Sequence, residues 1–245
     1  MVTTPFFSSD IRANVRAVQQ TIQEAARRVG RDPDAIRLVA ASKTVPASRL
    51  WEAYEAGIKI FGENRWQEAQ EKMEAVGTTA DWVWHFIGRI QRRKIKSIVG
   101  RFALIHSIES VAQAAMIDQQ AQERGIRQPI LLEINVGRES SKGGFSVPEV
   151  MGAIPCIDAM PNISVQGVMG IPPLTGNPED SRPYFQELRR VAERIQQRSP
   201  RQIAMTERSM GMSHDFPIAI EEGATLVRIG TALFGPREQE RTILS

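Results

Sequence analysis

One cysteine, Cys156, stands among 245 residues, which excludes an internal disulfide framework, a zinc ribbon and a CxxC redox pair. Histidine is scarce as well: His85, His106 and His214 fall at neither helical i, i+4 nor zinc-finger spacing, so no metal site is expected. No apolar run approaches the roughly 18 residues of a membrane helix, and the N-terminus lacks the apolar core of a signal peptide. Charge of one sign is missing too. Lys and Arg total 31 against 28 acids, and a net charge of +3 is too small to imply nucleic acid. The one basic run, Arg89, Arg92, Arg93, Lys94, Lys96 and Arg101, alternates with Ile90, Ile95, Ile98 and Val99 and reads as an exposed helix face. Nucleotide-binding loops are absent, because Gly137–Lys142 lacks the glycine that precedes a Walker lysine and no GxGxxG follows a strand. The expectation is a cytosolic chain with no membrane, metal or nucleic-acid partner.

A content of 42% hydrophobic and 24% charged residues suffices for a full core, and the length suits either two small domains or one large barrel. From Ser9 to Gly30, Ile11, Val15, Val18, Ile22 and Ala25 recur at steps of three and four, with Ser9 or Asp10 as N-cap and Gly30 as stop, which predicts a helix. The run Ile36–Lys43 follows as a strand. Further strands are expected at Ile58–Gly62, Val83–Gly88, Ala103–Ile108, Ile130–Val136, Ile163–Met169, Gln202–Glu207 and Leu226–Phe234, with helical segments between them. Short continuous apolar runs mark strands buried on both faces. The alternation predicts one (β/α)8 barrel domain over residues 1–245 with an extra N-terminal helix; a doubly wound open sheet is the second choice.

Lys43 closes the first run, and Thr44-Val45-Pro46 stops the strand behind it, so its side chain is expected at the C-terminal mouth on the face of Val39 and Ala41. Among such small residues a desolvated lysine is an amine nucleophile able to form a Schiff base; position alone favours an exposed strand-end lysine. Arg228 sits within the apolar run Thr225–Thr231 and needs an acceptor, either Glu133 across the barrel or a ligand. Ser209-Met-Gly-Met-Ser213 and Gly230-Thr231 follow the last two strands, where barrels of this class bind phosphate on free N–H groups.

Six ordered motifs, Leu38–Lys43, Phe61-Gly-Glu-Asn-Arg65, Trp84–Gly88, Gly167–Met169, Ser209–Ser213 and Val227–Thr231 with Phe234-Gly235, resemble the pyridoxal phosphate homeostasis protein family over almost the whole chain. The resemblance implies a barrel similar to the N-terminal domain of alanine racemase, carrying pyridoxal 5′-phosphate. It implies Lys43 as the lysine of the internal aldimine, Ser209, Gly230, Thr231 and the backbone around Met210 as the phosphate cradle, and Arg228 facing the pyridine nitrogen. Asn64, Met169 and His85 match positions that line the cofactor. Three residues depart from the family pattern: Glu133 for glutamine, Arg93 for asparagine, and Arg208 for an apolar residue. Glu133 could compete with the ring nitrogen for Arg228, and Arg208 could add positive charge near the phosphate.

Arg228 on the ring nitrogen weakens the cofactor as an electron sink. Alanine racemases also carry a second domain and a partner subunit that supply a second base, and none is evident before Ser245. The expectation is therefore a monomeric holder of pyridoxal phosphate in cofactor and amino-acid or keto-acid balance, with apoenzymes as possible partners and no catalytic residues. The alternatives are a racemase or lyase of low activity and a cofactor-free Schiff-base aldolase.

Overall fold

Seven of the expected apolar runs and one polar segment, Glu207–Ser209, become parallel strands: β1 (Arg37–Ala41), β2 (Ile60–Glu63), β3 (Val83–Phe86), β4 (Leu104–Ile108), β5 (Gln128–Ile134), β6 (Ile163–Gly170), β7 (Glu207–Ser209) and β8 (Leu226–Ile229). In the computed structural model, which describes residues 9–78, 81–139, 142–198 and 203–236, they hydrogen-bond in chain order and β1 pairs with β8 to close the barrel. Helices connect successive strands and form the outer layer, the expected (β/α)8 architecture.

Because side chains alternate along a strand, each strand feeds two cores. Inside the barrel Val39, Leu104, Leu131, Met169 and Leu226 form a small apolar plug. Between barrel and helices lies the larger core, built from residues such as Ala40, Phe61, Phe86, Ile105, Leu132, Val168 and Val227. The first helix, Ile11–Arg28, buries Ile11, Val15, Val18, Ile22 and Ala25, and Asp10 caps it by accepting from the Arg12 N–H at 2.9 Å. It packs against the helices Phe216–Glu221 and Thr231–Phe234, and Asn14 Nδ2 donates to the Leu233 carbonyl at 2.9 Å. The extra helix thus holds the segment that follows β8.

Most strand ends shift by one or two residues from the sequence expectation, and three differences, at β1, β7 and β8, bear on the site. β1 stops at Ala41, because Ser42–Val45 closes a turn through a 3.0 Å bond from Val45 N to the Ser42 carbonyl. β7 runs later than expected, since Met205-Thr206 is a turn; Gln202 lies outside the described residues. β8 ends at Ile229 because Gly230 turns the chain into the helix Thr231–Phe234, whose apolar residues read equally well as strand. The basic run forms a 3-10 turn, Arg92–Lys94, and a short helix, Ile95–Ile98, with Ile90, Ile95, Ile98 and Val99 buried and most of its cations exposed.

Candidate functional site

Lys43 leaves the barrel in the turn after β1, two residues past the strand. The next residue, Thr44, has φ 64, a left-handed conformation that is costly for a β-branched side chain. Its N–H donates to Glu68 Oε2 at 3.1 Å, and its hydroxyl donates to the Lys43 carbonyl at 2.6 Å. On the other side Ser42 is anchored from beneath. Its hydroxyl donates to Glu63 Oε1 at 2.5 Å, and Lys72 Nζ donates both to that oxygen and to the Ser42 carbonyl, each at 2.7 Å. Glu63 is fully buried, and burial outweighs Lys72 in pushing its carboxyl above the ordinary range. A tight turn between two anchors therefore sets where the Lys43 side chain starts.

On the neighbouring strand β8, in register with Val39 of β1, Arg228 is buried, and burial lowers its guanidinium to about 10. Nη1 donates to the carbonyl of Ser209 at 2.7 Å and to its hydroxyl at 2.6 Å, and Nη2 donates to the Gly170 carbonyl at 3.1 Å. Among the described residues it makes no ion pair with a carboxylate, so neither a Glu133 bridge nor bulk water balances it. The Ser209 hydroxyl also lies 2.9 Å from His106 Nδ1, and His106 Nε2 lies 3.0 Å from His85 Nδ1. Met169 and His85 are buried in the same interior.

At the rim, Gly230 abuts the exit of β1: a Cβ on it would stand 3.2 Å from the Ala41 carbonyl oxygen. Ser213 Oγ accepts from Gly230 N at 3.3 Å and Ala232 N at 3.1 Å, an oxygen held by two backbone donors at a helix start. Gly211, at φ 90, makes the bend that brings Ser213 there; a Cβ on it would meet Ala219 Cβ at 2.6 Å. Met210 is fully buried in the outer core, with its N–H donated to the Leu226 carbonyl at 3.1 Å. Asn64, directly after β2, has a buried Oδ1 with no hydrogen-bond partner.

The structure thus gathers Lys43, Asn64, Met169, Arg228, Gly230 and Thr231 at the C-terminal ends of parallel strands. Ser209, expected on the phosphate, directs its hydroxyl to Arg228 and His106, and Ser213 stands at the Gly230 loop instead. Ser213 is not among the expected site residues; the hydroxyl at the far end of the Ser209–Ser213 motif is the signal that could have found it. Arg208 corrects a second expectation. Next to inward Ser209 it must point outward, and its Nε donates to the Gly223 carbonyl at 2.7 Å, before β8 and away from the mouth. Arg93 is exposed and donates to Gln91 Oε1 at 3.2 Å.

Glu133 on β5 is held above the ordinary range, at about 6, by burial and then by Glu109, with Arg228 and Arg89 opposing. An acid whose folded pKa is raised disfavours the fold when charged, so its contribution is intact below about 4.5 and is lost as pH rises through about 6. Glu133→Gln is expected to raise stability above pH 6 by up to ~2 kcal/mol and to leave it unchanged at pH 4. Urea unfolding at both pH values checks this; an equal effect at both would exclude titration as the cause.

A closed parallel barrel with a lysine after β1, an arginine on β8 and a glycine-led loop behind it defines the barrel class of the alanine racemase N-terminal domain, whose family model matches residues 9–238. Within that class the chain belongs to the pyridoxal phosphate homeostasis protein family. It is 45% identical over 221 residues to the pyridoxal phosphate homeostasis protein of Aquifex aeolicus, covering 90% of this chain and 96% of that one. The structure of PipY from Synechococcus elongatus with pyridoxal phosphate bound is 35% identical, with a TM-score of 0.78 over 88% of this chain and all of PipY. Alanine racemase from Corynebacterium glutamicum, 16% identical with a TM-score of 0.64 over 91% of this chain and 61% of that one, shares the fold.

Proposed function

We propose that this chain holds pyridoxal 5′-phosphate at the C-terminal mouth of the barrel, linked through Lys43, and serves to store and hand on the cofactor rather than to turn over amino acids. The observation that carries this reading is the convergence of the Lys43 turn, the Arg228 guanidinium and the Gly230–Thr231 loop on one rim, in a chain so similar to pyridoxal phosphate-bound PipY. The donor set suits the group: a primary amine for an aldehyde, a cation for a ring nitrogen, and for a phosphate the hydroxyl hydrogen of Ser213, whose oxygen already accepts from Gly230 N and Ala232 N, beside the Thr231 hydroxyl. Asn64 Oδ1, buried without a partner, supports a polar ligand beside it.

When bound, the cofactor supplies an electrophilic carbon and a ring able to delocalise negative charge. Arg228, still cationic at neutral pH, donates toward the ring nitrogen and keeps a proton off that atom, which weakens carbanion stabilisation. Met169 and His85 line the interior behind it. Recipients in this reading are pyridoxal phosphate-dependent apoenzymes, and the protein works as a cytosolic monomer. A racemase or lyase of low activity is the second reading, favoured by Glu133, whose pKa near 6 suits a general base.

The test is a chiral and mass-spectrometric screen of the proteinogenic amino acids with holoprotein, with Lys43→Ala as control. Cofactor exchange without racemisation, transamination or decarboxylation above background is expected. Turnover of about 1 to 10³ per second on any substrate would overturn it, and its loss in Glu133→Gln would establish the second reading. Arg228→Glu is expected to raise the background by permitting ring protonation.

A further inference from the structure

Arg228 has only donors, so the Ser209 hydroxyl oxygen must accept from Nη1 at 2.6 Å, and its own hydrogen has to go elsewhere. The acceptor at hand is His106 Nδ1 at 2.9 Å. That nitrogen then carries no proton, the His106 proton sits on Nε2, and it is donated to His85 Nδ1 at 3.0 Å, leaving the His85 proton on Nε2 as well. Every bond in the chain points away from the arginine. The opposite polarity would bring two donors to Ser209 Oγ and send its hydroxyl hydrogen into a fully buried surrounding.

We propose that Ser209, His106 and His85 form a directional hydrogen-bond chain whose role is to position Arg228, so that Ser209 acts on the cofactor through the guanidinium and not as a phosphate ligand. The inference rests on the reading that Arg228 faces the ring nitrogen. Both Nη1 hydrogens and one on Nη2 are taken by Ser209 and Gly170, which fixes the guanidinium plane and leaves Nε–H and one Nη2 hydrogen for other acceptors. A serine whose hydrogen is drawn off to a neutral imidazole is a better acceptor for a cation than one that donates to water. Neutrality follows from the surroundings: burial first, then Arg37, lowers His85 to about 3, while burial, His85, Arg228 and Arg37 lower His106 far below its ordinary value. Glu133 and Asp215 face the guanidinium from β5 and from the loop after β7 and favour its charge.

The test has two arms. Long-range ¹⁵N–¹H NMR on cofactor-free, histidine-labelled protein, assigned with single His→Gln variants, is expected to show His85 and His106 both neutral with protons on Nε2, unchanged from pH 5 to 8. A proton on Nδ1 of either, or titration near 6.5, would overturn the chain. In the second arm Ser209→Ala and Ser209→Thr are loaded with pyridoxal 5′-phosphate. Alanine is expected to put part of the His106 proton on Nδ1 and to speed cofactor release about tenfold, with the ³¹P resonance of the bound phosphate unmoved; threonine is expected to restore both. A displaced ³¹P resonance, or an unchanged release rate, would overturn the positioning role. Failure of the wild type to bind pyridoxal phosphate would refute the cofactor reading alone, since the tautomers are read without cofactor.

Discussion

Lys43→Ala is expected to abolish covalent attachment completely: holoprotein treated with borohydride should retain no labelled pyridoxal phosphate, while the far-ultraviolet spectrum and unfolding midpoint stay near wild type. In the proposed reading the loss is all-or-none because only an amine on the right turn would reach an aldehyde held by Arg228 and the Gly230 loop. The fold survives because Lys43 is half-exposed in a turn anchored by its neighbours, and such substitutions usually change stability by within ~0.5 kcal/mol. Mass mapping of the fixed adduct decides the matter. A stoichiometric adduct on another lysine, with Lys142 in the loop after β5 the natural competitor, would refute the assignment.

Lys72→Met is expected to have the largest effect on stability, about 3–5 kcal/mol at pH 7, because it strips the counter-ion from a fully buried carboxylate. Glu63 Oε1 would keep only the Ser42 hydroxyl, and its Oε2 already lacks a hydrogen-bond partner. The pH dependence carries the diagnosis. The Glu63 carboxyl is raised above its ordinary value even beside Lys72, so the folded variant favours the protonated acid, and its deficit should shrink below pH 4.5 and grow as pH rises. The double variant Glu63→Gln, Lys72→Met should recover most of the loss at pH 7. A deficit under ~1 kcal/mol in the single variant, or one independent of pH, would mean the pair does not hold the Ser42 turn. Since Lys72 also binds the carbonyl before Lys43, cofactor attachment should slow in the single variant and return in the double.

Much of the fold was legible in the chain. The periodicity of Ile11, Val15, Val18, Ile22 and Ala25 and the Asp10 cap define a helix locally, and eight apolar runs alternating with amphipathic segments leave few arrangements besides a parallel barrel. Some expected site residues were visible as anomalies: a lysine after a strand of small residues, an arginine in an apolar strand, and glycines and hydroxyls behind the last two strands; Asn64, Met169 and His85 came only from the family resemblance. The ends of β7 and β8 were not, because Met205-Thr206 and Thr231–Phe234 are apolar enough for strand or turn and only packing chooses.

The sequence by itself determined which residues are polar in an apolar setting, since that is a property of composition along one strand. Which of them meet was decided only by the tertiary structure. Glu63 finds Lys72 because β2 and the helix after it fold back on one another, and Ser209 faces Arg228 while Arg208 faces outward because β7 and β8 pair in one register, Ser209 beside Leu226. A shift of one residue would exchange those faces, and no local pattern in a three-residue strand sets that shift. His106 meets His85 and Ser209 for the same reason: closing the sheet brings β3, β4 and β7 around one interior, and that closure is a property of all eight strands together.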